Sequence, residues 1–141
     1  MGTESRIDLS AISEGMELTS LQKEISQKNI NLYAKASKDF NPIHIDEEFA
    51  KSTPLGGTIA HGMLILAYVS QTLTSNFGQE WLNSGKLNVR FKAPARPGDT
   101  VTISGKVRRV EKDDKTSIKC DVLCQNQAGE TIISGDAVLS V

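Results

Sequence analysis

Between His61 and Gln79 the chain carries no Asp, Glu, Lys or Arg, and Met63-Leu64-Ile65-Leu66-Ala67-Tyr68-Val69 opens an apolar run that continues through Leu73 to Phe77. A strand rarely extends so far, so the segment reads as a helix; a helix apolar nearly all round is one buried on most of its sides. The rest of the chain must supply the wall that buries it. With 141 residues there is material for one core, which typically serves about 100 to 200 residues. Residues 1–141 are therefore assigned to one domain, with no internal repeat, low-complexity tract or linker.

The wall is written in the second half. Leu87, Val89 and Phe91 alternate with polar residues, as do Val101, Ile103 and Val107. Ile118, Cys120, Val122 and Cys124 continue this period of two, followed by Ile133, Ala137, Leu139 and Val141. Turn residues separate the later strands at Lys112-Asp113-Asp114-Lys115 and Asn126-Gln127-Ala128-Gly129, and links that short join antiparallel neighbours. Upstream, a short strand is predicted across Met16 to Ile25. Ser26 then caps a helix with Ile30, Tyr33, Ala34 and Ser37 on one face, and a turn of helix follows Asp46. The sum is an α+β chain in the hot-dog arrangement, a curved antiparallel sheet of about five strands wrapped around one long buried helix. Its open sheet edges are most simply managed by pairing across a two-fold axis, so a homodimer is expected.

Charge narrows the function. Lys plus Arg number 16 against 17 Asp plus Glu, leaving a net charge of −1 and no field to hold a polyanion, so nucleic acid is not an expected partner. The opening Met1-Gly2-Thr3-Glu4-Ser5-Arg6 is not followed by an apolar run, and Arg6 stands where a myristoylation signal needs Ser or Thr. Leu139-Ser140-Val141 is not the peroxisomal Ser-Lys-Leu address. The expected location is the cytoplasm, without membrane attachment. Cys120 and Cys124 lie four residues apart on one strand, roughly 13 Å, beyond the reach of a disulfide, and are expected as reduced core thiols. Two histidines 17 positions apart and no Cys-x-x-Cys give no recognisable zinc spacing, so no metal is expected.

The chemistry concentrates in Asp39-Phe40-Asn41-Pro42-Ile43-His44-Ile45-Asp46. Pro42 fixes its own φ and disfavours the helical conformation for Asn41, whose side chain can close an Asx turn. A stiff corner results, able to aim Asp39 and His44 at one point. Asp39-x-Asn41-Pro42-x-His44-x-Asp46 followed by Ala60-His61-Gly62-Met63 resembles the MaoC-like, (R)-specific enoyl-CoA hydratase and 3-hydroxyacyl dehydratase family, over most of the chain.

That resemblance implies reversible hydration of a trans-2-enoyl-CoA to a (3R)-3-hydroxyacyl-CoA, with Asp39 and His44 holding and activating the water. It also implies that the Gly62 N–H meets the thioester oxygen and that Ser70 lines the site. The chemistry needs a base at the water, a proton for Cα and a donor for the enolate oxygen. A glycine opening an apolar helix offers unpaired N–H groups and a favourable dipole, with no Cβ to hinder approach. Asn41 and His61 are read as site-lining residues, His61 as a brace for the loop before Gly62. Coenzyme A enters as part of the substrate, and no separate cofactor is implied.

Several alternatives stay open on sequence. Gly62 is also a plain helix start, and the Ser70 hydroxyl can serve its own helix backbone. Arg90, Lys92 and Arg96 suit either phosphate groups or the solvent face of a strand. Hot-dog thioesterases and acyl-carrier dehydratases are rival enzymes, but both use an acid on the central helix, and Gly62 to Asn76 contains none. A non-catalytic subunit that binds acyl thioesters is the remaining reading.

Overall fold

The computed structural model describes residues 6–141; the first five, on which part of the reading of the N-terminus rests, lie outside the described residues. In chain order the elements are β1 (Leu21–Glu24), α1 (Gln27–Ser37), α2 (Pro42–Ile45), α3 (Glu47–Lys51), α4 (Gly62–Phe77), α5 (Gln79–Ser84), β2 (Lys86–Phe91), β3 (Thr100–Lys112), β4 (Thr116–Gln125) and β5 (Thr131–Ser140). The five strands form one sheet in the order β1-β3-β4-β5-β2, every neighbouring pair antiparallel.

The sheet is organised by the two hairpins expected from the turn residues. Ile103 faces Cys124 across β3 and β4, and Cys120 faces Ala137 across β4 and β5. The Asn126 side chain closes the second turn by accepting from the backbone N–H groups of Ala128 and Glu130. The inward residues Val101, Ile103, Val107, Ile118, Cys120, Val122, Cys124, Ala137 and Leu139 are buried, and both cysteines are free thiols.

Against this concave face lies α4. Leu64, Ile65, Val69, Leu73 and Phe77 are each buried, and each contributes about 1.5–3 kcal/mol by leaving water. Asn76, fully buried, holds the helix to the N-terminal segment. Its amide donates to the Thr19 and Thr72 carbonyls and accepts from the Thr19 N–H at 2.9 Å.

Three expectations change. The first strand shrinks from Met16–Ile25 to Leu21–Glu24, with only an isolated bridge from Glu17 to Lys106 before it, because Gly15 and Leu18 bond individually to β3. Ser37, expected on the buried face of α1, is exposed; only Ile30 and Ala34 of that helix are buried. Phe91 turns outward at 54 % exposure, since β2 is an edge strand whose last side chain overhangs α4 instead of entering the core. The core helix is buried on most of its sides, as expected, but Met63 is 59 % exposed and Ala67 is exposed, so one apolar flank of α4 is uncovered.

Candidate active site

The segment that carries Asp39 is set by two caps in succession. Lys38 ends α1 in the left-handed region, φ 62°, which turns the chain sharply away from the helix axis. Asp39 Oδ1 then accepts from the Asn41 N–H at 3.2 Å, and Asn41 Oδ1 accepts from the Ile43 N–H at 3.2 Å. The stiff corner therefore exists, but it occupies residues 38–41; Pro42 is the first residue of a helical turn, and His44 rides on that turn. Pro42 suits this position because the first helical N–H has no partner to lose.

His44 is buried and its Nδ1 lies 2.8 Å from the Ile59 carbonyl oxygen. A carbonyl only accepts, so Nδ1 carries the proton and Nε2 of the neutral ring keeps its lone pair. His61, also buried, does the converse: its Nε2 donates to the Asp39 backbone carbonyl at 3.0 Å, leaving Nδ1 buried with no partner. The two imidazoles stack with centroids 3.9 Å apart and planes inclined by 26°, and the Tyr33 ring packs against His61 at 4.9 Å, tilted by 58°. A carboxylate oxygen of Asp39 and a ring nitrogen of each histidine fall within 4.8 Å of one another.

Asp39 and His44 thus converge as the sequence predicts, and His61 joins them as the brace that ties the Asp39 backbone to the His44 ring. The trio is also a conceivable ligand set for a divalent ion. Two of the four imidazole nitrogens are already engaged with carbonyls, however. Because the rings are nearly parallel, an ion in the plane of one lies out of the plane of the other, which suits tetrahedral coordination poorly.

Gly62 follows His61 directly and is the first residue of α4, whose N-terminus has no side-chain cap. Its leading N–H groups lack intrahelical acceptors, and because its N-cap is His61, a member of the trio, the positive end of the helix lies next to the acid-histidine corner. The Phe91 ring lies over Gly62, and the two share a 330 Å³ cleft with Ile59, Ala60 and Ala93. A second, larger groove of 630 Å³ runs along the uncovered flank of α4, past Met63, Leu66, Ala67 and Ser70. Tyr33 and Leu87 are among its walls, and Trp81 stands at the Ser70 end. Ser70 lines the groove, and its Oγ accepts from the Trp81 indole Nε1 at 3.4 Å.

Asn41 acts through the turn it closes. Arg90 on β2 and Lys92 just after it are exposed, and Arg96 is half-buried beside a separate 200 Å³ cavity with Glu47 and Thr58. Sequence reasoning missed Tyr33, Ile59, Trp81 and Phe91 as parts of the site. Trp81 alone carried a signal, as the single tryptophan of the chain, close after the predicted core helix.

A sheet curled around one helix, with an acid-histidine corner at that helix's N-terminus, defines a hot-dog protein equipped for acid–base chemistry. The MaoC-like domain family matches residues 10–128, and the chain belongs to that family. It is similar to the (R)-specific enoyl-CoA hydratase of Rhodospirillum rubrum, 36 % identical over 133 residues that cover 92 % of this chain and 88 % of that one. Among solved structures it resembles the R-hydratase PhaJ1 of Pseudomonas aeruginosa in the unliganded form, with a TM-score of 0.80 and 26 % identity over 94 % of this chain and 88 % of that one. It also resembles the (R)-hydratase of Aeromonas caviae involved in PHA biosynthesis, with a TM-score of 0.78 and 28 % identity over 92 % of this chain and 96 % of that one. Among the described residues no helix is long and apolar enough to cross a membrane.

Proposed function

We propose that the protein adds water reversibly across the double bond of a trans-2-enoyl-CoA to give the (3R)-3-hydroxyacyl-CoA. The observation that carries this reading is the convergence of Asp39 and His44 beside the N-terminus of α4, with His44 held as the tautomer whose Nε2 accepts.

With both groups accepting, one water molecule donates one of its hydrogens to the Asp39 carboxylate and its second to His44 Nε2, which leaves an oxygen lone pair of the water aimed at Cβ. As the C–O bond forms, one of the two acceptors takes the proton, and negative charge moves to the thioester oxygen, where the Gly62 N–H meets it. Return of that proton to Cα completes the addition and restores the site. Dehydration runs the same path backwards. No cofactor is needed beyond the coenzyme A of the substrate.

The groove along α4 begins at Met63, next to Gly62, and is placed to take the acyl chain. Met63, Leu82 and Phe91 are exposed apolar residues near this groove and the free edge of β2, the pattern of a surface that a second copy covers. The functional form is accordingly read as a homodimer, testable by light scattering. The two buried free thiols suit a reducing compartment, in keeping with a cytoplasmic location.

A hot-dog thioesterase is disfavoured because α4 offers no carboxylate. The test is purified protein with crotonyl-CoA, following loss of the conjugated thioester absorbance together with chiral analysis of the product. Formation of (3R)-3-hydroxybutyryl-CoA without free thiol supports the reading. Thiol release, or no reaction with enoyl-CoAs of any length, overturns it.

A further inference from the structure

His44 sits on a helix of only four residues, and so short a helix has almost no stability of its own. Its orientation must be imposed from outside. Beside the stacked His61 ring, three hydrogen-bonded contacts impose it, and these come from Gln27 and the 58–59 segment. The Ile59 N–H donates to the Ile43 carbonyl at 3.1 Å, and the Ile59 carbonyl takes the His44 Nδ1 proton. The third contact is indirect: Thr58, 2 % exposed, donates its hydroxyl to Gln27 Oε1 at 2.7 Å, and Gln27 Nε2 donates to the His44 backbone carbonyl at 2.8 Å.

The Gln27 amide has little freedom in this arrangement. Its second Nε2 hydrogen goes to Asn31 Oδ1 at 2.9 Å, so both donors and the acceptor are occupied, and its backbone is the first residue of α1 behind the Ser26 cap. Thr58 Oγ1 also lies 3.1 Å from Glu47 Oε2, at the start of α3, so the hydroxyl has acceptors on two sides. The result is a closed loop of bonds: Thr58 is joined by the chain to Ile59, Ile59 holds the His44 ring, and Gln27 connects Thr58 back to the His44 carbonyl. An imidazole fixed at Nδ1 alone can still rock about that bond; fixing the carbonyl of the same residue removes the rocking.

We propose that Gln27 and Thr58 are positioning residues that set the angle at which His44 Nε2 faces Asp39. Neither is among the residues lining the α4 groove or the Gly62 cleft. The inference rests on the reading of His44 as part of the catalytic pair. Misplacing a catalytic group by about 1 Å costs on the order of a hundredfold in rate.

The experiment compares Gln27→Met, Gln27→Glu, Thr58→Val and Thr58→Ser with the unmodified protein. Two readouts are taken: kcat and KM for crotonyl-CoA hydration, and the imidazole nitrogen resonances of ¹⁵N-histidine-labelled protein. Gln27→Met and Thr58→Val are expected to lower kcat about tenfold to a hundredfold with KM within about twofold, while Thr58→Ser, which keeps the donor, stays within about threefold of the starting value. In the same two variants the His44 resonances shift from the Nδ1–H form toward tautomer averaging. Gln27→Glu keeps the acceptor for Thr58 but sets a carboxylate against the His44 carbonyl, and is expected to behave like Gln27→Met. Unchanged kcat and unchanged His44 resonances in Gln27→Met and Thr58→Val overturn the proposal, as does a loss that Thr58→Ser shares. The nitrogen spectra do not depend on turnover. A protein inert toward enoyl-CoA but with loosened His44 in the variants would therefore refute the hydratase reading and retain the positioning role.

Discussion

Gly62→Ala separates the demands of folding from those of chemistry. Gly62 is not among the glycines with positive φ, so alanine can adopt its backbone conformation, and the substitution restricts the unfolded chain, which by itself stabilises by about 0.4–1 kcal/mol. Against this, the added Cβ would sit 3.1 Å from Cε1 and 3.3 Å from Cδ1 of Phe91. Relief requires the ring to move by a few tenths of an ångström. At 54 % exposure Phe91 has room to do so, and the cost should roughly cancel the gain. The expected change in Tm is therefore small, within about 2–4 °C in either direction, the shift that 1 kcal/mol produces in a domain of this size class. Activity should respond quite differently. The methyl group and the displaced ring close the approach to the Gly62 N–H, and a thioester oxygen held off by even part of an ångström loses much of the donor's benefit. A fall in kcat of about tenfold to a hundredfold is expected. Crotonyl-CoA hydration and thermal unfolding followed by circular dichroism, measured on one preparation, give both quantities. A variant that keeps full kcat refutes the assignment of this N–H to the oxyanion; one that loses activity only in proportion to a large drop in Tm refutes the claim that the site and the core are separable here.

Trp81 sets a second test. The α4 face from Met63 to Ser70 spans seven residues, about 10 Å at 1.5 Å per residue. An extended chain covers about 3.5 Å in three bonds, so roughly eight or nine bonds fit before the indole. Enoyl-CoA chains up to about eight carbons should be hydrated well and longer ones poorly, and Trp81→Leu should move the limit upward; a length profile unchanged by the substitution rejects the groove as the acyl site. Burial raises the Cys120 thiol to about 12, with the Asp121 charge adding to the effect, and the Cys124 thiol to about 11. Both folded values exceed the unfolded value near 8.5, so the protonated thiols favour the folded state fully below about pH 8.5, and this contribution is lost as pH rises toward 11 to 12. Denaturant midpoints should therefore decline above about pH 8.5, with a Cys120→Ala, Cys124→Ala variant declining less steeply, and the native thiols should resist alkylation at pH 8. Equal slopes in both proteins contradict the assignment.

The elements legible in the sequence were those whose signal is local. The charge-free stretch gives α4 to within a residue, the alternation and turn chemistry give β3, β4 and β5, and the Asp39 to Asp46 spacing gives the acid-histidine pair. What escaped depends on partners distant in sequence. The tautomer of His44 is decided by the carbonyl of Ile59, fifteen residues away, and the orientation of His61 by the carbonyl of Asp39. Phe91 reads as an inward strand residue by parity but lies at the overhanging end of an edge strand. The α5 helix was invisible because its six residues bury only Trp81, whose indole fits because Gly85 has no Cβ; one placed there would lie 2.3 Å from the ring. The exposed flank of α4 is apolar for a reason outside the isolated chain's own core, which periodicity alone does not distinguish from burial.

The central claim is that Asp39 and His44 act as one unit on a single water molecule. Its most direct test is the kcat/KM for crotonyl-CoA of Asp39→Asn, His44→Asn and the double variant. Groups that act together lose nearly all their benefit when either is removed, so each single change should cost on the order of a thousandfold or more, and the double variant should be little worse than the weaker single. Single variants that retain near-normal activity, or losses that multiply in the double variant as for independent groups, would contradict it.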